Sequence, residues 1–293
     1  MEQKLNSSTN VEHSNETAIT PNPCYVPCGL ELNKIYNESN LETMKRMPDN
    51  FVDLTVTSPP YDNLRDYKGY SFPFEDIAQE LYRITKQGGV LVWIVADGTV
   101  NGSRTGTSFK QALYFMGIGF NLHQRLFYEK AGPPPDPTRY EETIEEMFVF
   151  SKGKPKTINL IKDKKNRWAG QKQFGNKSTR EKDGSLTPKP AKVINEYGKR
   201  TSVWRYATGY GYSTEDDCAF EHPAIFPELL AGDHIISWSN EGDLIYDCFM
   251  GSGTTAKIAH KLKRNWIGSE ISSEYVQIAE KRIAPYLAQT SLF

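Results

Sequence analysis

Four consecutive residues, Ser58-Pro59-Pro60-Tyr61, combine a hydroxyl, backbone carbonyls released from strand pairing and a flat aromatic ring. The apolar, β-branched run at 51–56 must stop there, because neither proline can donate to a ladder and each holds the residue before it extended. A stiff loop at the C-terminal end of a buried strand is where open α/β sheets place their ligands. Such a set can stack on a planar group and accept hydrogen bonds from an exocyclic amine.

A second constellation lies far along the chain. Asp247-Cys248-Phe249-Met250-Gly251-Ser252-Gly253-Thr254-Thr255 follows a short apolar run and precedes a helical period. Strand, glycine turn and helix form a nucleotide-type site, in which glycines let a ligand approach the backbone. Glu270 ends the next strand-like run, 17 residues beyond Gly253, a spacing that suits an acid holding ribose hydroxyls. Ala256 stands where a dinucleotide fingerprint has its third glycine, and the Gly-Lys-Ser/Thr of a P-loop is absent. The pocket reads as one for an adenosine without a pyrophosphate, and S-adenosylmethionine fits.

The elements that must position these groups alternate between strand and helix. Residues 1–22 read as a polar tail, 32–36 as a strand, 41–47 as a helix and 51–56 as a buried strand. The spacing of Ile77, Ala78, Leu81, Tyr82 and Ile84 predicts a helix that Lys86-Gln87-Gly88-Gly89 ends. Residues 90–95 form a continuous apolar run, hence a strand covered on both faces, with Asp97 at its end. A helix over 109–116 and strands over 122–128 and 145–150 follow. Residues 222–230 open a helix with prolines in its early positions. Strands over 242–247 and 265–270 are followed by helices over 256–262 and 274–283. This pattern predicts an α/β fold with helices on both faces of one sheet. Its parts are a catalytic half (23–150), an insertion (151–201) and a cofactor half (202–293).

Charge singles out the insertion. Residues 151–200 hold 15 Lys/Arg against 4 Asp/Glu, leaving 20 basic and 32 acidic residues elsewhere, so a basic block sits in an acidic protein. Lys152, Lys154, Lys156, Lys162, Lys164, Lys165 and Arg167 are candidate phosphate contacts, with Trp168, Phe174 and Tyr197 interleaved. A solvated loop with a small local core is the alternative. No apolar run reaches the ~18 residues of a membrane helix, and no basic start precedes an apolar stretch. Four scattered cysteines suit a reducing, cytoplasmic setting rather than a disulfide framework. Cys24 and Cys28 have no second pair at metal-binding spacing, so no metal is expected.

Ser58-Pro59-Pro60-Tyr61, the glycine turn with Glu270, and His222-Pro223-Ala224-Ile225-Phe226-Pro227 together resemble the amino-methyltransferases that modify exocyclic amines of DNA bases. The likeness covers about residues 30–285, with Cys248 where the family usually has proline and Asn37-Glu38-Ser39 where it usually has Gly-Asp. The catalytic motif precedes the cofactor motif with the basic segment between them, which resembles the β arrangement. The resemblance implies a Rossmann-like, S-adenosylmethionine-dependent sheet with circularly permuted motifs. It implies a catalytic role for Ser58, Pro59, Pro60 and Tyr61. It also implies cofactor contacts from Asp247, Phe249, Gly251, Ser252, Gly253, Thr254 and Glu270, with His222 and Phe226 at the methionine end. The partner implied is duplex DNA from which the base is flipped. A cognate endonuclease or a homodimer is compatible with it. Serine in the first position mostly accompanies cytosine N4 in the family, and aspartate adenine N6, so cytosine is expected and adenine is the alternative. RNA or protein methylation and an inactive DNA-binding module are remoter readings. Pro23-Cys24 and Pro27-Cys28 match the Pro-Cys of carbon-5 enzymes only superficially, lying as they do beside the tail.

Overall fold

A strand apolar at every position has to be covered on both faces, and the chain builds that cover in order. The computed structural model describes residues 29–60, 72–132, 137–173, 178–188 and 191–288. Tyr61, Phe174, Cys24, Cys28 and the 1–22 tail fall outside them. The first half contains β1 (Lys34–Tyr36), α1 (Asn40–Arg46), β2 (Val52–Thr57), α2 (Phe74–Ile84) and β3 (Thr85–Val95). A small hairpin of β4 (Thr99–Val100) and β5 (Ser103–Arg104) leads to α3 (Thr107–Gly117), β6 (Asn121–Glu129) and β7 (Ile144–Ser151). An outlying region holds β8 (Lys164–Lys165), β9 (Ser178–Arg180), β10 (Leu186–Pro188) and β11 (Tyr197–Gly198). The last part contains β12 (Val203–Arg205), a 3-10 turn, α4 (Glu228–Trp238), β13 (Leu244–Asp247), α5 (Thr254–Lys261), β14 (Asn265–Ser269) and α6 (Ser273–Leu287).

Eight strands form one sheet in the order β1-β14-β13-β2-β3-β7-β6-β12, parallel except for β7. Period-two alternation sorts the side chains. Leu54, Val56, Val90, Val92 and Ile94 pack with α4, α5 and α6, whereas Leu91, Trp93 and Val95 pack with α1, α2 and α3, joined by Val52 from before the register shift in β2. From β13 the chain runs outward through β14, and from β2 it runs the opposite way through β3. Their neighbouring C-terminal ends therefore make the topological switch point, where such sheets bind ligands. No helix among the described residues is long and apolar enough to cross a membrane.

Two boundaries differ from the sequence expectation. Gly88 and Gly89 do not end α2. The helix stops at Ile84, the Thr85 hydroxyl donates to the Leu81 carbonyl at 2.6 Å, and Thr85 is already extended. The glycines instead lie inside β3 where its register against β2 shifts, and a Cβ at Gly89 would meet the Asp53 carbonyl at 3.0 Å. Likewise α4 begins at Glu228 rather than near His222, because Pro223 and Pro227 keep the preceding segment out of helical geometry.

The glycine turn is held tightly by α6. Gly253 has φ +80°, and an added Cβ would lie 2.9 Å from Ala279 Cβ and 3.1 Å from Ile283 Cδ1. Gly253→Ala should therefore lower stability by about 1–3 kcal/mol through strain and overpacking. Thermal unfolding checks this, and an unchanged Tm would contradict the packing described.

Candidate active site

One hydrogen bond closes the switch point. The Thr57 hydroxyl, at the end of β2, donates to Asp247 Oδ1, at the end of β13, at 2.7 Å. Both side chains are buried. Asp247 Oδ1 also accepts from the Phe249 N–H at 3.0 Å, and the Thr255 hydroxyl contributes a further hydrogen bond. Burial pushes the Asp247 carboxyl up from its ordinary range, and these donors pull it back. Asp247, a candidate cofactor contact, uses Oδ1 to join the two strand ends. Ser58 follows Thr57 directly and is half-buried, Pro59 is buried and Pro60 half-buried. The ledge and the glycine turn thus meet at one crevice, although the two motifs lie some 190 positions apart. Tyr61, the expected stacking ring, lies outside the described residues.

The turn itself is shaped from several sides. Gly251 (φ +50°) leaves room for the His222 ring, whose Nε2 would be 3.0 Å from a Cβ there. His222 Nδ1 accepts from the Ala224 N–H at 3.1 Å, and the ring stands edge-on to Tyr275 at 4.2 Å. Phe226 packs half-buried against the α4–α5–α6 core, and Phe249 lies between Phe72 and Trp93 at 5.7 and 6.3 Å. The hydroxyls of Ser252 and Thr254, candidate cofactor contacts, accept from Arg282 of α6 at 3.2 and 2.8 Å. No sequence motif marks Arg282. Its signal was a cation three residues beyond Ala279 and beside Ile283, on the stripe that α6 buries. Cys248 is buried and its thiol pushed well up by that burial, so it offers no thiolate.

Glu270 fits an adenosine. Its carboxylate accepts from the Gly251 N–H and the Ser272 N–H, each at 2.9 Å, which fixes it at the rim of the turn with lone pairs remaining. Burial raises its pKa above the ordinary carboxylate range, and Asp247 adds to the rise. Asn37 ties the same strand end by donating to the Glu270 and Ile271 carbonyls at 3.0 and 3.1 Å. Glu38, within the Asn37-Glu38-Ser39 segment, accepts from the Thr43 hydroxyl at 2.7 Å and pairs with Arg46. Among the described residues no group of three or more His, Cys, Asp or Glu is placed to hold a metal ion.

The candidate DNA-binding cations separate into two groups. Lys152, Lys154 and Lys156 lie beside Gly88 and Gly89, whose backbone pairs with Lys152 and Lys156. Trp93 is level with Thr57, so these lysines sit about 15 Å down the strands from Ser58, at the opposite end of the central strands. Lys152 is a correction to the phosphate-contact expectation. Its ammonium donates to the carbonyls of Tyr82 and Arg83 at 2.9 and 3.4 Å and to Asn50 Oδ1 at 3.0 Å, capping the C-terminus of α2. Burial lowers its pKa. Lys162, Lys164, Lys165 and Arg167 are exposed. The last three lie on a two-stranded arm in which 164–173 runs antiparallel to 192–198, with the β9–β10 hairpin beyond. Trp168 (52% exposed) and Tyr197 (44%) stand on the arm's surface rather than in a local core.

An ionised carboxylate accepts hydrogen bonds more strongly than the acid, so if Glu270 receives the ribose hydroxyls, ligand affinity should fall as pH drops through its raised pKa. That limb lies above the ordinary carboxylate range. Titrating S-adenosylhomocysteine across pH 4–8 (about the carboxylate and histidine ranges) should show it, and Glu270→Gln should weaken binding and flatten the limb. A limb of the same size in the variant would assign it to another group.

Comparisons with known proteins agree with this geometry. A family model described as DNA methylase, of the N6/N4 kind, matches residues 52–281. The chain is 56% identical over 238 residues to the orphan methyltransferase M.BamHII of Bacillus amyloliquefaciens, covering 80% of this chain and 90% of that protein. It is 28% identical over 272 residues to the type II methyltransferase M.BglII of Bacillus subtilis, covering 88% and 71%. Among solved structures, the cytosine-N4-specific PvuII DNA methyltransferase superposes with a TM-score of 0.60 at 19% identity, over 86% of this chain and 90% of that one. A DNA modification methylase of Thermus thermophilus in complex with S-adenosyl-L-methionine gives 0.59 at 21%, over 88% and 95%. With the family matched from β2 into α6, the chain belongs to the N6/N4 DNA methylases, enzymes that methylate exocyclic amines of DNA bases with S-adenosylmethionine.

Proposed function

We propose that the enzyme methylates cytosine at N4. The observation that carries this reading is Ser58: a neutral hydroxyl, not a carboxylate, follows the residue pinned to the cofactor half. Bound S-adenosylmethionine supplies an electrophilic methyl on its sulfonium. The Ser58 hydroxyl and the Pro59 carbonyl accept hydrogen bonds from the exocyclic NH2, drawing the nitrogen lone pair out of conjugation and aiming it. Tyr61 stacks on the extruded base. Glu270 and the backbone of the glycine turn hold the adenosine, while Asp247, through Thr57, keeps both sides in register. The protein's contribution is orientation and preorganised polarity, with no covalent intermediate.

The arm is the DNA-recognition element in this reading. A two-stranded ribbon fits a major groove, and Lys164, Lys165 and Arg167 on it are exposed. Digesting methylated DNA to nucleosides and weighing them tests the base: N4-methyldeoxycytidine is expected, and N6-methyldeoxyadenosine would overturn the proposal. Ser58→Ala should reduce turnover by about 10²-fold or more with S-adenosylhomocysteine affinity little changed. Equal losses in both would remove Ser58 from its role. Replacing Lys164, Lys165 and Arg167 with serine should lower the salt slope of DNA binding by about 2–3, whereas Lys152→Met should lower stability and leave the slope alone.

A further inference from the structure

Four charged side chains that the reaction does not use meet against the glycine turn. Arg282 of α6 (side chain 0% exposed) and Lys257 of α5 (3%) face Asp216 (20%) and Glu228 (17%). Each cation reaches both carboxylates at 2.6 Å, and the Thr214 hydroxyl donates to Glu228 Oε1 at 2.6 Å. The quartet is neutral overall, as a buried charge cluster must nearly be. Burial pushes both carboxyls up, but the hydrogen bonds from the cations prevail and hold them below the ordinary range.

The two cations are not equivalent. Lys257 donates to one oxygen of each carboxylate and lies over the Tyr286 ring. Arg282 has a planar fork, and its third nitrogen, Nη1, turns away from the carboxylates. It donates to the Ser252 carbonyl at 3.1 Å, the Ser252 hydroxyl at 3.2 Å and the Thr254 hydroxyl at 2.8 Å. Those residues bracket Gly253, whose left-handed backbone has many competing conformations when unsupported. The segment before α4 thereby grips the turn through one guanidinium.

We propose that Arg282 is the positioning residue for cofactor binding: Asp216 and Glu228 aim its guanidinium, and its Nη1 fixes the Ser252–Thr254 backbone that receives the adenosine. The inference rests on S-adenosylmethionine as cofactor and is independent of which base is methylated. If the quartet merely fastened α5 and α6 to the segment before α4, any variant that kept the charge balance and the fold would bind cofactor normally.

Arg282→Lys makes the distinction, because it retains a cation for the carboxylates and loses the fork that reaches the turn. A Ser252→Ala/Thr254→Val double variant does the converse, leaving the quartet intact and removing two acceptors. S-adenosylhomocysteine titrated calorimetrically into the full chain, with thermal unfolding alongside, reads binding and folding separately. Wild-type binding in the same titration checks the cofactor reading itself, so the two claims fail separately. The expected result is a Kd raised about tenfold in Arg282→Lys, with KM for the cofactor raised similarly and kcat at saturation within about threefold. The double variant should show a smaller rise at nearly wild-type Tm. Unchanged Kd in folded Arg282→Lys, or in the double variant should Arg282→Lys not fold, overturns the proposal.

Discussion

The Thr57–Asp247 hydrogen bond is the constraint on which the site depends. Parallel pairing of β2 with β13 brings their C-terminal ends side by side, but pairing alone leaves each loop free to leave the sheet in its own direction. The carboxylate of Asp247 removes that freedom by accepting from Thr57 on one strand, from Phe249 at the start of the turn and from Thr255 in the first turn of α5. In a buried setting an unpaired carboxylate is costly, so the arrangement that satisfies all three donors is strongly preferred. Ser58 on one side and Gly251 on the other follow from it.

Around that pin the site is built in shells of differing chemistry. In the proposed function, backbone and Glu270 form the surface that meets adenosine. Behind them His222, Tyr275, Ala279 and Ile283 fill the space that side chains at 251 and 253 would need, which makes glycine obligatory there. Two asparagines, Asn37 and Asn40, bind the carbonyls of Glu270 and Cys248 and so tie the edge after β1 to both neighbouring strand ends. The hydroxyls of Ser252 and Thr254 are tied to the frame through Arg282.

Much of this was legible in the residues. The double alternation of 90–95 required two covered faces, and the proline pair and glycine turn marked both loops of the crevice. Positions that hinge on a single polar contact were not legible. Gly88 and Gly89 carry the composition of a helix stop, yet a threonine hydroxyl ended the helix first and left them to a strand irregularity. Lys152 belongs by charge to the basic block, but three backbone and side-chain oxygens at the end of α2 claim it. Arg282 was hidden because a helical stripe records burial, and a buried arginine is explained only by partners from distant segments. Charge content alone could not divide the block into lysines at the far end of the central strands and cations on an exposed arm.

The most direct test is a double-mutant cycle on Thr57→Val and Asp247→Leu, read in kcat/KM for DNA methylation. If the pin aligns the ledge with the glycine turn, the two changes share one effect, and a coupling of about 1.5–3 kcal/mol is expected. Losses that add to within about 0.5 kcal/mol would show that the two halves of the crevice are aligned by something else.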